Sequence, residues 1–191
     1  MKKKSVALVL ALALVVVCIV GGTLAWLTAT TTPVVNTFTT SDINITLEET
    51  GATNNANSYQ MIPGYTITKD PKVTVKAGSQ KCYLFVKLEK SANFDDFLTY
   101  EIADGWDQLK NDENQDVAGV FYRTVDTNGM GTPISVLKND QVAVNENVTK
   151  AMMSGLNASS FPTLKVTAYA SQFNKNANDT FSAFEAWNNI R

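Results

Sequence analysis

The sequence predicts an all-β protein: one antiparallel β-sandwich with one or two short peripheral helices, preceded by an apolar leader. Three observations carry this expectation. Beyond the leader, short runs alternate apolar and polar residues with a period of two, as a half-buried strand requires. Turn dipeptides stand between the runs at Pro63-Gly64, Ala77-Gly78, Asn128-Gly129 and Asn139-Asp140. Helical periodicity beyond the leader is confined to two short stretches. Many short strands at this spacing build antiparallel sandwiches rather than parallel sheets, and 191 residues suit a single domain.

The leader comes first. Lys2, Lys3 and Lys4 form a positive start, Val6 to Val20 is unbroken apolar chain, and Gly21-Gly22 interrupts it. Thr23-Leu24-Ala25 then offers a small residue, so cleavage is expected between Ala25 and Trp26. The competing reading is an uncleaved anchor, since Val6 to Leu27 approaches the ~20 residues that span a bilayer. The apolar run before the glycines is shorter than that, which favours cleavage. A lipid-modified Cys18 is disfavoured by the bulky Val17 before it. The chain thus divides into a signal peptide (1–25), an N-terminal extended segment (26–42) and a sandwich domain (43–191).

The extended segment is rich in threonine, which favours extended backbone. It carries apolar Trp26, Leu27, Val34, Val35 and Phe38, and Pro33 keeps it off a central strand. Strands are expected over 43–48, 72–76, 83–89, 118–125, 134–138, 141–144 and 164–171. Leu84, Val86 and Leu88 should share one face, as should Leu164, Val166 and Ala168, with Tyr169 opposite. Residues 93–100 offer a turn or two of helix. Residues 179–189 offer a better one, with Phe181, Phe184 and Trp187 in spacing and a capping box at Ser182 and Glu185.

Composition excludes several chemistries. There is no histidine, so Ser-His-Asp, Cys-His and His-based zinc sites are unavailable. Cys82 is the one cysteine beyond the leader, so no internal disulfide forms there; it reads as a small buried hydrophobe. Asp112, Asn114 and Asp116 match the start of a calcium loop. Val117 and Arg123 stand where that loop needs Gly and Glu, so the stretch reads as a solvated acidic loop. No pair among the 18 acids stands out as a glycosidase pair. No catalytic, cofactor or metal site is therefore assigned. Losing Lys2, Lys3 and Lys4 with the leader lowers the 16 basic residues to 13 against 18 acidic ones, a net charge of −5. That argues against a nucleic-acid partner. Membrane contact is expected only through an uncleaved leader.

Several segments resemble TasA/camelysin-like proteins of Gram-positive bacteria. They are Gly21-Gly22-Thr23-Leu24-Ala25-Trp26-Leu27, Asn36-Thr37-Phe38-Thr39 and Ile43-Asn44-Ile45-Thr46-Leu47-Glu48. Residues 63–75 and 165–172 resemble the clostridial branch of that family. The resemblance implies a jelly-roll type of sandwich, a leader cut by a dedicated signal peptidase, and a secreted or cell-surface role in biofilm-matrix fibres. It also implies joining by donor-strand complementation, in which residues 26–38 complete a neighbour's sheet, giving a homo-oligomer or fibre. Camelysin-like members have been described as metallo-endopeptidases, but the absence of histidine leaves no recognisable protease site. The alternatives are a secreted or surface-anchored peptidase and a surface adhesin for a glycan or host ligand.

Overall fold

A computed structural model describes residues 42–52 and 57–190. Their framework is all-β and antiparallel, as the alternating runs require. Three strands, β1 (Ile45–Glu48), β3 (Lys72–Val75) and β8 (Ile134–Ser135), pair in the order β1-β3-β8. Three others, β2 (Thr66–Thr68), β5 (Leu98–Thr99) and β9 (Gln141–Val144), pair as β2-β9-β5. The largest sheet joins β4 (Cys82–Lys90), β6 (Asp107–Lys110), β7 (Asp116–Val125) and β10 (Leu164–Gln172) in the order β10-β4-β7-β6. A small ribbon of β11 (Asn174–Asn176) and β12 (Asp179–Thr180) follows.

Strand β4 is the centre of the fold. Leu84, Val86 and Leu88 enter the main core with Val73, Val75, Val136, Val142 and Val144. The alternate residues Tyr83 and Phe85 enter a second core on the other face. Burial on both faces explains why Cys82-Tyr83-Leu84-Phe85-Val86 is a continuous apolar run. Cys82 itself is fully buried in the main core, and burial pushes its thiol up to about 11. The expected faces of β10 hold: Leu164, Val166 and Ala168 pack on the main core, and Tyr169 packs on the second.

Three short helices decorate the sheets: α1 (Phe94–Phe97), α2 (Lys150–Ser154) and α3 (Ala183–Asn188). Helix α3 covers the second core. Trp187 meets Phe85 at 5.4 Å between ring centroids and Tyr169 edge-on at 5.2 Å. The expected capping box is present: Ser182 Oγ accepts from Glu185 N at 3.1 Å, and Ser182 N donates to the Glu185 carboxylate at 2.8 Å.

Local differences from expectation have local causes. The run 134–138 is a strand only at Ile134–Ser135, because Asn139 and Asp140 take φ of 56° and 54° and turn the chain. Helix α2 was not expected; Thr149 caps it, accepting from Met152 N at 3.2 Å. The acidic stretch is a hairpin turn between β6 and β7, with Asn111 Oδ1 accepting from Glu113 N and Gln115 N. Lys110 pairs with Asp116 across it at 3.1 Å.

Candidate functional site

The residues singled out in the sequence, Ala25, Trp26, Leu27, Val34, Val35 and Phe38, lie outside the described residues. What the described fold offers is two strand edges. Strand β1 ends one sheet and β10 ends another; among the described residues each pairs on one side only. An unpaired strand edge presents a row of free N–H and C=O groups to any extended chain.

The two edges flank one groove. A cavity of about 770 Å³ is walled by Ile45, Leu47 and Glu48 on the β1 side and by Lys165, Val166 and Ala168 on the β10 side. A second cavity of about 630 Å³ shares Asn57, Lys69 and Leu164 with the first and so continues it. Its walls are chemically different. Met61, Ile62, Ile67, Phe94, Leu98 and Phe161 make it largely apolar, and Ile62 and Phe161 remain 52% and 53% exposed at its surface. Two large apolar side chains half in water beside an apolar cavity make this the greasiest stretch of the groove.

The strand directions follow from the shared residues. Chain order along β1 passes Ile45, Leu47 and Glu48 and arrives at Glu49, which bonds Lys69 at the junction of the two cavities. Strand β10 begins at Leu164, at that same junction, and runs away from it toward Ala168. The two edges therefore run in opposite directions. Their Cα atoms approach within 8 Å, less than the ~9.5 Å that a strand paired to both at once would need. No added strand can therefore pair with both edges at once.

A polar latch fixes the junction. Glu49 accepts from Lys69 Nζ at 2.9 and 3.1 Å and from the Tyr59 hydroxyl. Thr50 donates through its N–H at 3.0 Å and its hydroxyl at 2.8 Å to Asp70. Burial raises the pKa of Glu49, but hydrogen bonds from Tyr59 and Lys69 outweigh it and hold the carboxyl below its ordinary value. Burial, together with the Glu49 bond, pushes the Tyr59 hydroxyl up to about 12. The carboxylate is therefore ionised and the phenol neutral at neutral pH, the pairing in which the phenol donates and the carboxylate accepts. Tyr59 is thereby pinned beside Asn57 on the wall of the apolar cavity.

Sequence reasoning missed this groove. The signal was present in Met61-Ile62 and Phe161-Pro162, bulky apolar residues in stretches without strand or helix periodicity. Among the described residues no cluster of three or more His, Cys, Asp or Glu side chains is placed to hold a metal, and no helix is long and apolar enough to cross a membrane. No family model, no curated protein and no solved structure matches the chain.

Proposed function

We propose that this chain is a secreted structural protein of an extracellular or biofilm matrix, in which the N-terminal segment of one copy completes the sheet of the next and so builds a fibre. The observation that carries this reading is the groove between two unpaired edges, β1 and β10, with its apolar continuation. Its counterpart is a threonine-rich segment immediately before β1 that carries Trp26, Leu27, Val34, Val35 and Phe38. Main-chain ladder bonds supply general affinity, and side chains seated in the groove supply fit. In an isolated copy those apolar residues would meet water; seated in a neighbour they leave it, with each Val or Phe worth roughly 1.5–3 kcal/mol. The same burial covers Ile62 and Phe161 on the accepting side.

Electron microscopy of the purified secreted chain, with and without residues 26–38, tests the proposal. Fibres from the complete chain and none from the shortened one are expected. Fibres of equal abundance from both would refute donation by this segment.

A further inference from the structure

The stretch Asn57 to Ile62, which forms one wall of the apolar cavity, is held by main chain at one end and by side chains at the other. We infer that residues 57–62 are a strap hinged at Pro63-Gly64 and fastened at Tyr59 by Glu49, so that protonation of this one carboxylate releases the strap and opens the cavity lined by Phe94, Leu98 and Val142. The strap works within a single copy, whatever that copy assembles with.

Ladder bonds fix the hinge end. Gly64 N donates to Val144 O at 3.1 Å, Val144 N donates to Tyr65 O at 2.8 Å, and β2 then pairs with β9. Ile62-Pro63-Gly64-Tyr65 is a turn closed by Tyr65 N donating to Ile62 O at 3.0 Å. Gly64, its third residue, takes φ +76°, which glycine adopts without strain.

The other end has no such support. Among the described residues, no main-chain bond ties Asn57 to Met61 to the rest of the fold. Two side-chain bonds do: the Tyr59 hydroxyl donates to Glu49, and Asn57 Nδ2 donates to Thr50 O at 3.3 Å. Met61 is the one strap residue that packs against the main core, while Ser58, Tyr59, Gln60 and Ile62 are exposed. One methionine weighed against the freedom regained by six residues leaves the fastener to decide the balance. Phe94, Leu98 and Val142, on the cavity wall, are buried residues of the main core, so a released strap bares the core itself.

Glu49 is placed to release it. Its carboxylate bonds the phenol and also Lys69 Nζ, which lies 5.9 Å from the Tyr59 ring centroid. Charge-assisted hydrogen bonds are about twice as strong as neutral ones, so one proton weakens both bonds together. The other nearby charges have partners of their own. Asp70 bonds Thr50 and pairs with Lys72, which reaches Asp140. Glu48 and Lys165 line the neighbouring cavity, and Lys165 pairs with Glu89. None of these bonds Tyr59. With its carboxyl held below the ordinary 4.5, Glu49 keeps the strap fastened at neutral pH and lets go as pH falls below that value.

Limited chymotrypsin digestion of the purified chain at neutral pH, read by mass spectrometry, tests the fastener. Tyr59→Phe keeps a cleavable ring and leaves Glu49 paired with Lys69, whereas Glu49→Gln removes the charge. Both variants should be cut after position 59 roughly tenfold faster than wild type, the effect of losing one charge-assisted bond when opening precedes cleavage. Cutting at Trp187, buried in the second core, should stay as in wild type. A parallel rise at Trp187 in Tyr59→Phe would mean general unfolding and overturn a local strap. Should Glu49→Gln fail to fold, Tyr59→Phe decides alone: a folded variant cut at the wild-type rate overturns the fastener. Anilinonaphthalene sulfonate, a dye that brightens on apolar surface, tests the carboxylate. Its emission with wild type should rise as pH falls below 4.5 while far-UV circular dichroism holds, and Glu49→Gln should show that emission already at neutral pH. An acid rise in Glu49→Gln identical to that of wild type would assign release to another group and overturn the role of Glu49.

Discussion

Gly119 lies in β7 at φ +68°, and a Cβ placed on it would stand 2.3 Å from the carbonyl oxygen of Leu88 on β4. No side chain can relax that contact, because the obstacle is backbone in the central strand of the fold. Gly119→Ala must therefore move one strand or give up the left-handed conformation, and either route costs roughly 3 kcal/mol. Urea unfolding of the purified chain should show a lower midpoint with an unchanged slope. Arg123, on the same strand, illustrates a different demand. Its guanidinium lies over Trp106, 5.6 Å from the ring centroid, and Trp106 Nε1 donates to Ser135 O at 2.9 Å. One stacked cation thus helps hold β7 to the sheet that contains β8.

At the scale of elements, α3 and the N-terminal segment make opposite cases. Helix α3 has only two turns and survives because its cap and its buried Trp187 act together. Glu185 bonds Lys175 at 2.7 Å, and this bond first, with the Ser182 backbone second, brings its carboxyl down to about 2. A depressed carboxyl stabilises the fold above its ordinary value of about 4.5, and that contribution fades as pH falls toward 2. Tryptophan fluorescence should therefore report loosening around Trp187 in that window. Glu185→Gln should flatten this acid response. The segment before β1 should behave otherwise. Under the proposed assembly, replacing both Val35 and Phe38 with Asp should abolish multimers on size exclusion while circular dichroism stays that of a folded β protein, since the described residues from Ile43 onward form two extensive cores of their own. Loss of the fold in that variant would place the segment in its own core and remove the case for donation.

Elements of this kind differ in how plainly the sequence announces them. Strands β1, β3, β4, β7, β9 and β10 were legible because alternation at period two is set by the pleat itself. The capping box at Ser182 and Glu185 was legible because both partners lie within one turn. Helix α2 and the brief β2, β5, β6, β11 and β12 were not, being too short for any period to emerge. The groove was hidden for another reason: its walls come from residues 45–71 and 153–168, with Phe94, Leu98 and Val142 from between, far apart in sequence. Whether a strand is an edge depends on sheet order, which no local pattern contains.

Considered whole, the proposed assembly depends on where the mature chain begins. Ala25 after the glycine break predicts a mature chain starting at Trp26, and N-terminal sequencing of exported protein checks it. A start at Met1 in membrane fractions would instead tether the segment and hold its apolar residues away from any neighbour. The arrangement of the groove has a further consequence, in time rather than in space. One wall is β1, the first described strand, and the other is β10, which begins only at Leu164. A chain still being synthesised carries β1 early but lacks the far wall of the groove until nearly all of it has been made. A copy truncated before Leu164 therefore has no such groove, and under the proposed assembly it would be unable to receive a strand.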